Sequence, residues 1–190
     1  MTSFLAWLDS LFEKKQPFDP RIRVCWHFLA KILSDFFFFS DEENLELMKI
    51  DNHDPEVLRE FIREFVVPHY RYYPPENQKK IKDTLTYYLA TDSPKLDWSF
   101  AAFPINLDPP GKLFYTLVWQ ALYGTDGPDP INPDDYVEDC SSDFSNSLLT
   151  HKELRKKYNP ENKQPSLANV LARIKAKKAH PDTDSASDPA

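Results

Sequence analysis

Carboxylates are the side chains best placed to do chemistry in this sequence. No Lys or Arg occurs between Leu113 and His151, while Asp126, Asp129, Asp134, Asp135, Glu138, Asp139 and Asp143 fall within 18 residues. Seven carboxylates held close together on a rigid support would attract a basic protein and speed its encounter. Tyr136 lies inside the run and Phe144 just beyond it, so an aromatic anchor is at hand. The expected partner-binding set is therefore Asp126, Asp129, Asp134, Asp135, Tyr136, Glu138, Asp139 and Asp143. The same run also reads as a solvated loop, or as one that docks on the chain's own basic helices. A calcium loop of the EF-hand kind is not expected, because its ligand order and central Gly are missing.

Catalytic patterns are sparse. The five histidines, His27, His53, His69, His151 and His180, show no His-x-x-x-His spacing and no carboxylate motif for zinc. There is no Gly-x-Ser-x-Gly elbow, and 3 glycines cannot build a phosphate cradle. No catalytic residue, cofactor or metal is therefore expected. An enzyme or small-ligand binder is kept as an alternative, with a pocket between apolar helices near Arg21, Arg23, His27, His69 and Arg71. His27 has Arg23 one turn before it and Lys31 one turn after, a ladder that suits an anion or a half-buried core histidine. Pro68 to Pro75 interleaves aromatics with His69 and Arg71, which suits ring stacking or, more simply, a buried connection between helices. Cys25 reads as a small buried hydrophobe, and Cys140 sits among carboxylates that disfavour a thiolate. Two such cysteines form no disulfide framework and give no sign of an oxidising compartment.

The C-terminal part is basic. Residues 151–190 hold 9 Lys and Arg against 5 Asp and Glu, a net of +4, and the whole chain carries −7, so residues 1–150 carry −11. Arg155, Lys156 and Lys157 cluster, and Arg173, Lys175, Lys177 and Lys178 accompany an apolar stripe of Leu167, Val170, Leu171 and Ile174. Such a helix could serve as an adaptor for a partner, although the acidic whole disfavours nucleic acid as the main ligand. The run Ala172 to Ala179 followed by His180-Pro181-Asp182 resembles the second helix and loop of a J-domain co-chaperone. That fold needs a further helix packed back on the second, and eight residues with Pro189 among them follow Asp182.

These side chains must be positioned by helices. With 17 Pro against 3 Gly, positive-φ hairpin turns are scarce and an all-β fold is disfavoured. Asp19-Pro20, Asp54-Pro55, Ser93-Pro94 and Asp108-Pro109 each set an N-cap before a proline that has no N–H to satisfy. Thr150 to Glu153 fits a capping box. Amphipathic stripes predict helices over Ser3 to Lys15, Pro20 to Phe39, Asp41 to Ile50, Pro55 to Val67, Pro75 to Ala90 and Pro109 to Tyr123, the last stopped by Gly124. Thr125 to Ser147 reads as a loop with one turn near Asp135.

The expected fold is all-α: an irregular multi-helix bundle with a long acidic loop and a basic C-terminal helical extension. Its parts are an acidic helical domain over 1–150 with the loop at 125–147, a basic extension over 151–179, and a disordered tail over 180–190. Met1 to Lys15 lacks the basic start of a signal peptide, and Val24 to Phe39 is too interrupted by polar residues to span a membrane. A cytoplasmic, non-enzymatic interaction module is expected, of the inhibitor or immunity kind, binding a basic protein through the acidic surface.

Overall fold

The structure is a computed structural model that describes residues 19–33, 40–101, 109–141 and 166–179. It is mainly helical, with one small two-stranded parallel ribbon. The strands are β1 (Ile22–Val24) and β2 (Tyr136–Glu138). The helices are α1 (Trp26–Ile32), α2 (Asp41–Leu47), α3 (Pro55–Phe61), α4 (Val67–Arg71), α5 (Pro75–Ala90), α6 (Lys95–Ala101), α7 (Gly111–Tyr123) and α8 (Leu167–Ala179). A π turn, Ile62–Val66, joins α3 to α4. The expected helix over Ser3 to Lys15, the Thr150 capping box and the residues from His180 onward lie outside the described residues.

Several helix starts follow the caps written in the sequence. Asp54 accepts from the Glu56 N–H at 3.0 Å with Pro55 in the first turn, and Ser93 accepts from the Lys95 N–H at 3.3 Å. Ser40 and Glu43 close a reciprocal capping box on α2 that the proline-based reading passes over. Gly124 ends α7 at φ 73°, the left-handed conformation that glycine adopts without steric cost.

Other boundaries differ from expectation. Asp19-Pro20 opens no helix: the Asp19 carboxylate turns to the Arg21 N–H at 3.0 Å and to its guanidinium, and the chain runs on as β1. The β-branched residues Ile22 and Val24 flank Arg23 with the alternation of a strand, and α1 starts only after Cys25. The second strand, β2, lies inside what reads as loop. Pro68 does not end its helix either, because the Val67 N–H reaches the Ile62 carbonyl. This wider π turn accommodates a proline that would clash with the carbonyl four residues earlier in a regular helix. The Pro68 to Pro75 segment is consequently helical as far as Arg71. At α7, the helix starts at Gly111 and not at Pro109, with the Gly111 N–H donating to Asp97 Oδ1 at 2.8 Å.

One core joins these elements. Phe28, Leu29 and Ile32 of α1, Val57, Leu58 and Phe61 of α3, Ile81, Leu85 and Tyr88 of α5, and Phe114, Leu117 and Val118 of α7 are buried together. One polar pair inside this core is satisfied by its neighbours. The Tyr115 hydroxyl donates to Ser99 Oγ at 2.6 Å, and Ser99 donates on to the Leu96 carbonyl at 2.8 Å. Burial raises the Tyr115 phenol far above its usual value, keeping it a neutral donor.

Helix α8 belongs to this core through Leu167 and Val170, and its basic face is neutralised by the body. Glu60 is 2% exposed and receives Arg173 Nε at 2.8 Å, Lys177 Nζ at 3.1 Å and the Arg63 guanidinium. Glu64 takes Arg173 Nη2 at 2.7 Å, and its other oxygen accepts the Ser166 N–H at 3.2 Å, tying down the start of α8. The basic extension thus docks on the carboxylates of α3 and the π turn. Burial by itself would raise the Glu60 carboxyl, but hydrogen bonds from Arg173 and Lys177, with the charge of Arg63, hold it below its ordinary 4.5.

Two predictions arise. A Cβ at Gly111 would lie 2.5 Å from Asp97 Oδ1 and 2.7 and 2.8 Å from backbone atoms of Leu96 and Asp97. Gly111→Ala should therefore cost about 1–3 kcal/mol in chemical denaturation, since the backbone cannot swing aside. Because the folded Glu60 carboxyl titrates below its unfolded value, its contribution is complete above that value and is lost as pH falls through the folded one. Glu60→Gln should lower stability at pH 7 by about 1–3 kcal/mol, with the partly exposed cations limiting the loss. The gap to wild type in urea midpoints should close below about pH 4. A gap independent of pH would show that the ion network adds nothing.

Candidate functional site

The acidic loop leaves α7 at Gly124 and is anchored at both ends. At its start, Trp119 Nε1 donates to Thr125 Oγ1 at 2.9 Å, and Thr125 donates to the Gly127 carbonyl at 3.2 Å. In its middle, Asn132 accepts the Asp134 N–H at 3.3 Å and opens a 3₁₀ turn, Pro133–Asp135, the turn expected near Asp135. At its end, β2 pairs in parallel with β1, Ile22 opposite Tyr136, Arg23 opposite Val137 and Val24 opposite Glu138. The Asp139 N–H extends the ladder to the Val24 carbonyl at 3.1 Å.

A disulfide closes this end. Cys25 and Cys140, 115 positions apart, are bonded, with Cα atoms 5.2 Å apart. This corrects the reading of Cys25 as an isolated buried hydrophobe and of Cys140 as an inert thiol. Cys25 is buried as expected, but its partner is a sulfur that only the strand pairing could bring within reach. It also removes the argument from cysteine usage for a reducing compartment.

The expected partner-binding residues divide in two. Glu138 pairs with Lys95, and Asp139 pairs with Arg23 at 3.2 Å. Hydrogen bonds from the Ser141 hydroxyl and N–H, helped by the Arg23 charge, keep the Asp139 carboxyl below the usual range. Tyr136 is half-buried and stacks on Tyr87, with ring centroids 5.2 Å apart. Burial, with Asp83 and Asp135 near, raises its phenol. These three hold the loop to the body. Asp126, Asp129, Asp134 and Asp135 are exposed, and none forms an ion pair among the described residues. Asp143 lies outside the described residues.

One residue that the sequence did not single out adjoins this surface. Trp98 is 50% exposed, and Lys95, the partner of Glu138, lies with its Nζ 5.5 Å from the Trp98 ring centroid. None of the amphipathic stripes read from the sequence covers α6, although the Ser93-Pro94 cap marks its start.

The residues of the alternative pocket are used internally or point to solvent. Arg21 grips Asp19, whose carboxyl drops to about 2 through hydrogen bonds from the Arg21 side chain and backbone. Arg23 lies in β1, so the Arg23–His27–Lys31 helical ladder does not exist, and His27 is exposed, not half-buried in the core. His69 Nε2 meets the Tyr73 hydroxyl at 2.8 Å, which donates to the Lys31 carbonyl at 3.0 Å, tying α4 to α1. Arg71 is exposed at the end of α4.

Among the described residues, no helix is long and apolar enough to cross a membrane. No protein-family model, curated protein or solved structure matches the chain.

Proposed function

We propose that this chain is a non-enzymatic protein-binding module that presents its acidic loop to a basic protein, as an inhibitor or immunity-type protein would. The observation that carries this reading is the set Asp126, Asp129, Asp134 and Asp135, exposed and without internal ion pairs among the described residues. A protein with a basic helix of its own could have neutralised these carboxylates. Instead, Arg173 and Lys177 are committed to Glu60 and Glu64. The loop is anchored at both ends, so little conformational entropy is lost on binding and the loop's charge is already localised. Trp98 supplies an exposed aromatic anchor beside the paired end of the loop, the residue type that most often dominates interface energetics.

The experiment is affinity capture from the native cell, followed by titration of each captured protein. Replacing Asp126, Asp129, Asp134 and Asp135 with Asn should release the basic partner selectively and flatten the salt dependence of its association rate. Trp98→Ala should weaken the same complex by roughly tenfold or more while leaving the unfolding midpoint near wild type. Retention of every specific partner by the neutral variant would sink the proposal.

A further inference from the structure

The disulfide has a third neighbour. His27 lies two residues after Cys25, and one ring nitrogen of His27 and the two sulfurs all lie within 4.8 Å of one another. Cys25 is buried, whereas His27 and Cys140 are exposed, so the cluster faces solvent on one side. The His27 ring rests against Trp26, with centroids 3.8 Å apart, and no hydrogen bond or ion pair engages its nitrogens among the described residues. Two sulfurs and an imidazole form a donor set suited to a soft or borderline d¹⁰ ion.

We propose that Cys25, His27 and Cys140 form a redox-gated zinc site. The disulfide is its closed form. A dithiol reductant supplies two electrons and two protons, the Sγ–Sγ bond breaks to leave two thiols, and the reductant becomes a disulfide. When Zn²⁺ arrives, each thiol releases its proton to solvent. Two thiolate–zinc bonds form, and neutral His27 adds a nitrogen lone pair. The fourth position is open to water on the exposed side. Asp139 is not counted among the ligands because Arg23 holds it.

The cysteines do not depend on their own bond to stay together. The ladder from Ile22–Tyr136 to Val24–Glu138, the Asp139 N–H to Val24 carbonyl bond and the Arg23–Asp139 pair hold the two backbones side by side. On the other side, the Cys25 N–H donates to Thr84 Oγ1 of α5 at 3.4 Å. Tetrahedral zinc with Zn–S bonds of about 2.3 Å and a Zn–N bond of about 2.0–2.1 Å sets its ligand atoms roughly 3.5–3.8 Å apart. Reaching that spacing requires side-chain rotation without repacking of the ribbon. This site is independent of the acidic-surface reading.

The test uses the full chain, oxidised and reduced with a phosphine, titrated with Co²⁺ as an optical reporter and then with Zn²⁺. The reduced protein should take up one ion with a thiolate-to-cobalt charge-transfer band that Zn²⁺ abolishes, and Zn²⁺ should raise its melting temperature. The oxidised protein should do neither. His27→Ala, which leaves the disulfide intact for comparison, should weaken uptake by about tenfold or more. Cys25→Ser with Cys140→Ser should abolish it. The proposal is overturned if the reduced wild type shows no thiolate band, if His27→Ala binds as tightly as wild type, or if reduction unfolds the chain and Zn²⁺ does not restore its helical circular dichroism.

Discussion

Cys25 and Cys140 stand at the ends of two three-residue strands, and the parallel pairing between those strands is the constraint on which the presented surface depends. A ribbon of three rungs would be marginal by itself. It persists because β1 leads directly into α1, whose apolar face is buried in the core, and because the Arg23–Asp139 and Lys95–Glu138 pairs and the Tyr136–Tyr87 stack hold β2 beside it; the disulfide adds to this. A cross-link closing a loop of this length removes much of the unfolded chain's freedom, about 5 kcal/mol in the chain-entropy model. The acidic loop between α7 and β2 is therefore fixed at both ends, by the α7 terminus on one side and by the ribbon on the other.

The distribution of charge follows from the same geometry. The body is acidic and α8 is basic, so self-neutralisation could have occurred at either the loop or the α3 face. It occurs at α3, because Leu167 and Val170 insert into the core there and carry Arg173 and Lys177 onto Glu60 and Glu64. Hydrophobic burial chooses the docking site and the ion pairs satisfy the carboxylates it encloses; a buried ion network contributes little net energy but is costly to break. The consequence is that Asp126, Asp129, Asp134 and Asp135 keep their charge facing solvent.

Much of the helical frame was legible from local chemistry. Asp54-Pro55, the stripe of Ile81, Leu85 and Tyr88, and the Gly124 stop each act within one or two turns, so neighbouring residues suffice to predict them. Asp19-Pro20 carries the same signature as Asp54-Pro55 yet begins a strand, because Arg21 takes its carboxylate and Val24 finds a pairing partner over a hundred positions away. Pro68 reads as a helix end, and a π turn lets the helix continue. Of the candidate site, the acidic run was legible as composition. That Glu138 and Asp139 are consumed by Lys95 and Arg23, and that Trp98 is half-exposed beside them, was not.

By itself the sequence determined the mainly helical class, the acidic body with its basic terminal helix, and the existence of a carboxylate-rich connection, because caps, 3.6-residue periodicity and net charge are local or additive properties. Only the tertiary structure decided the parallel ribbon, the Cys25–Cys140 bond with His27 beside it, the target of the basic helix, and which carboxylates face outward. Each of these is a pairing between distant segments, selected by which apolar faces bury together, and no window along the chain contains both partners.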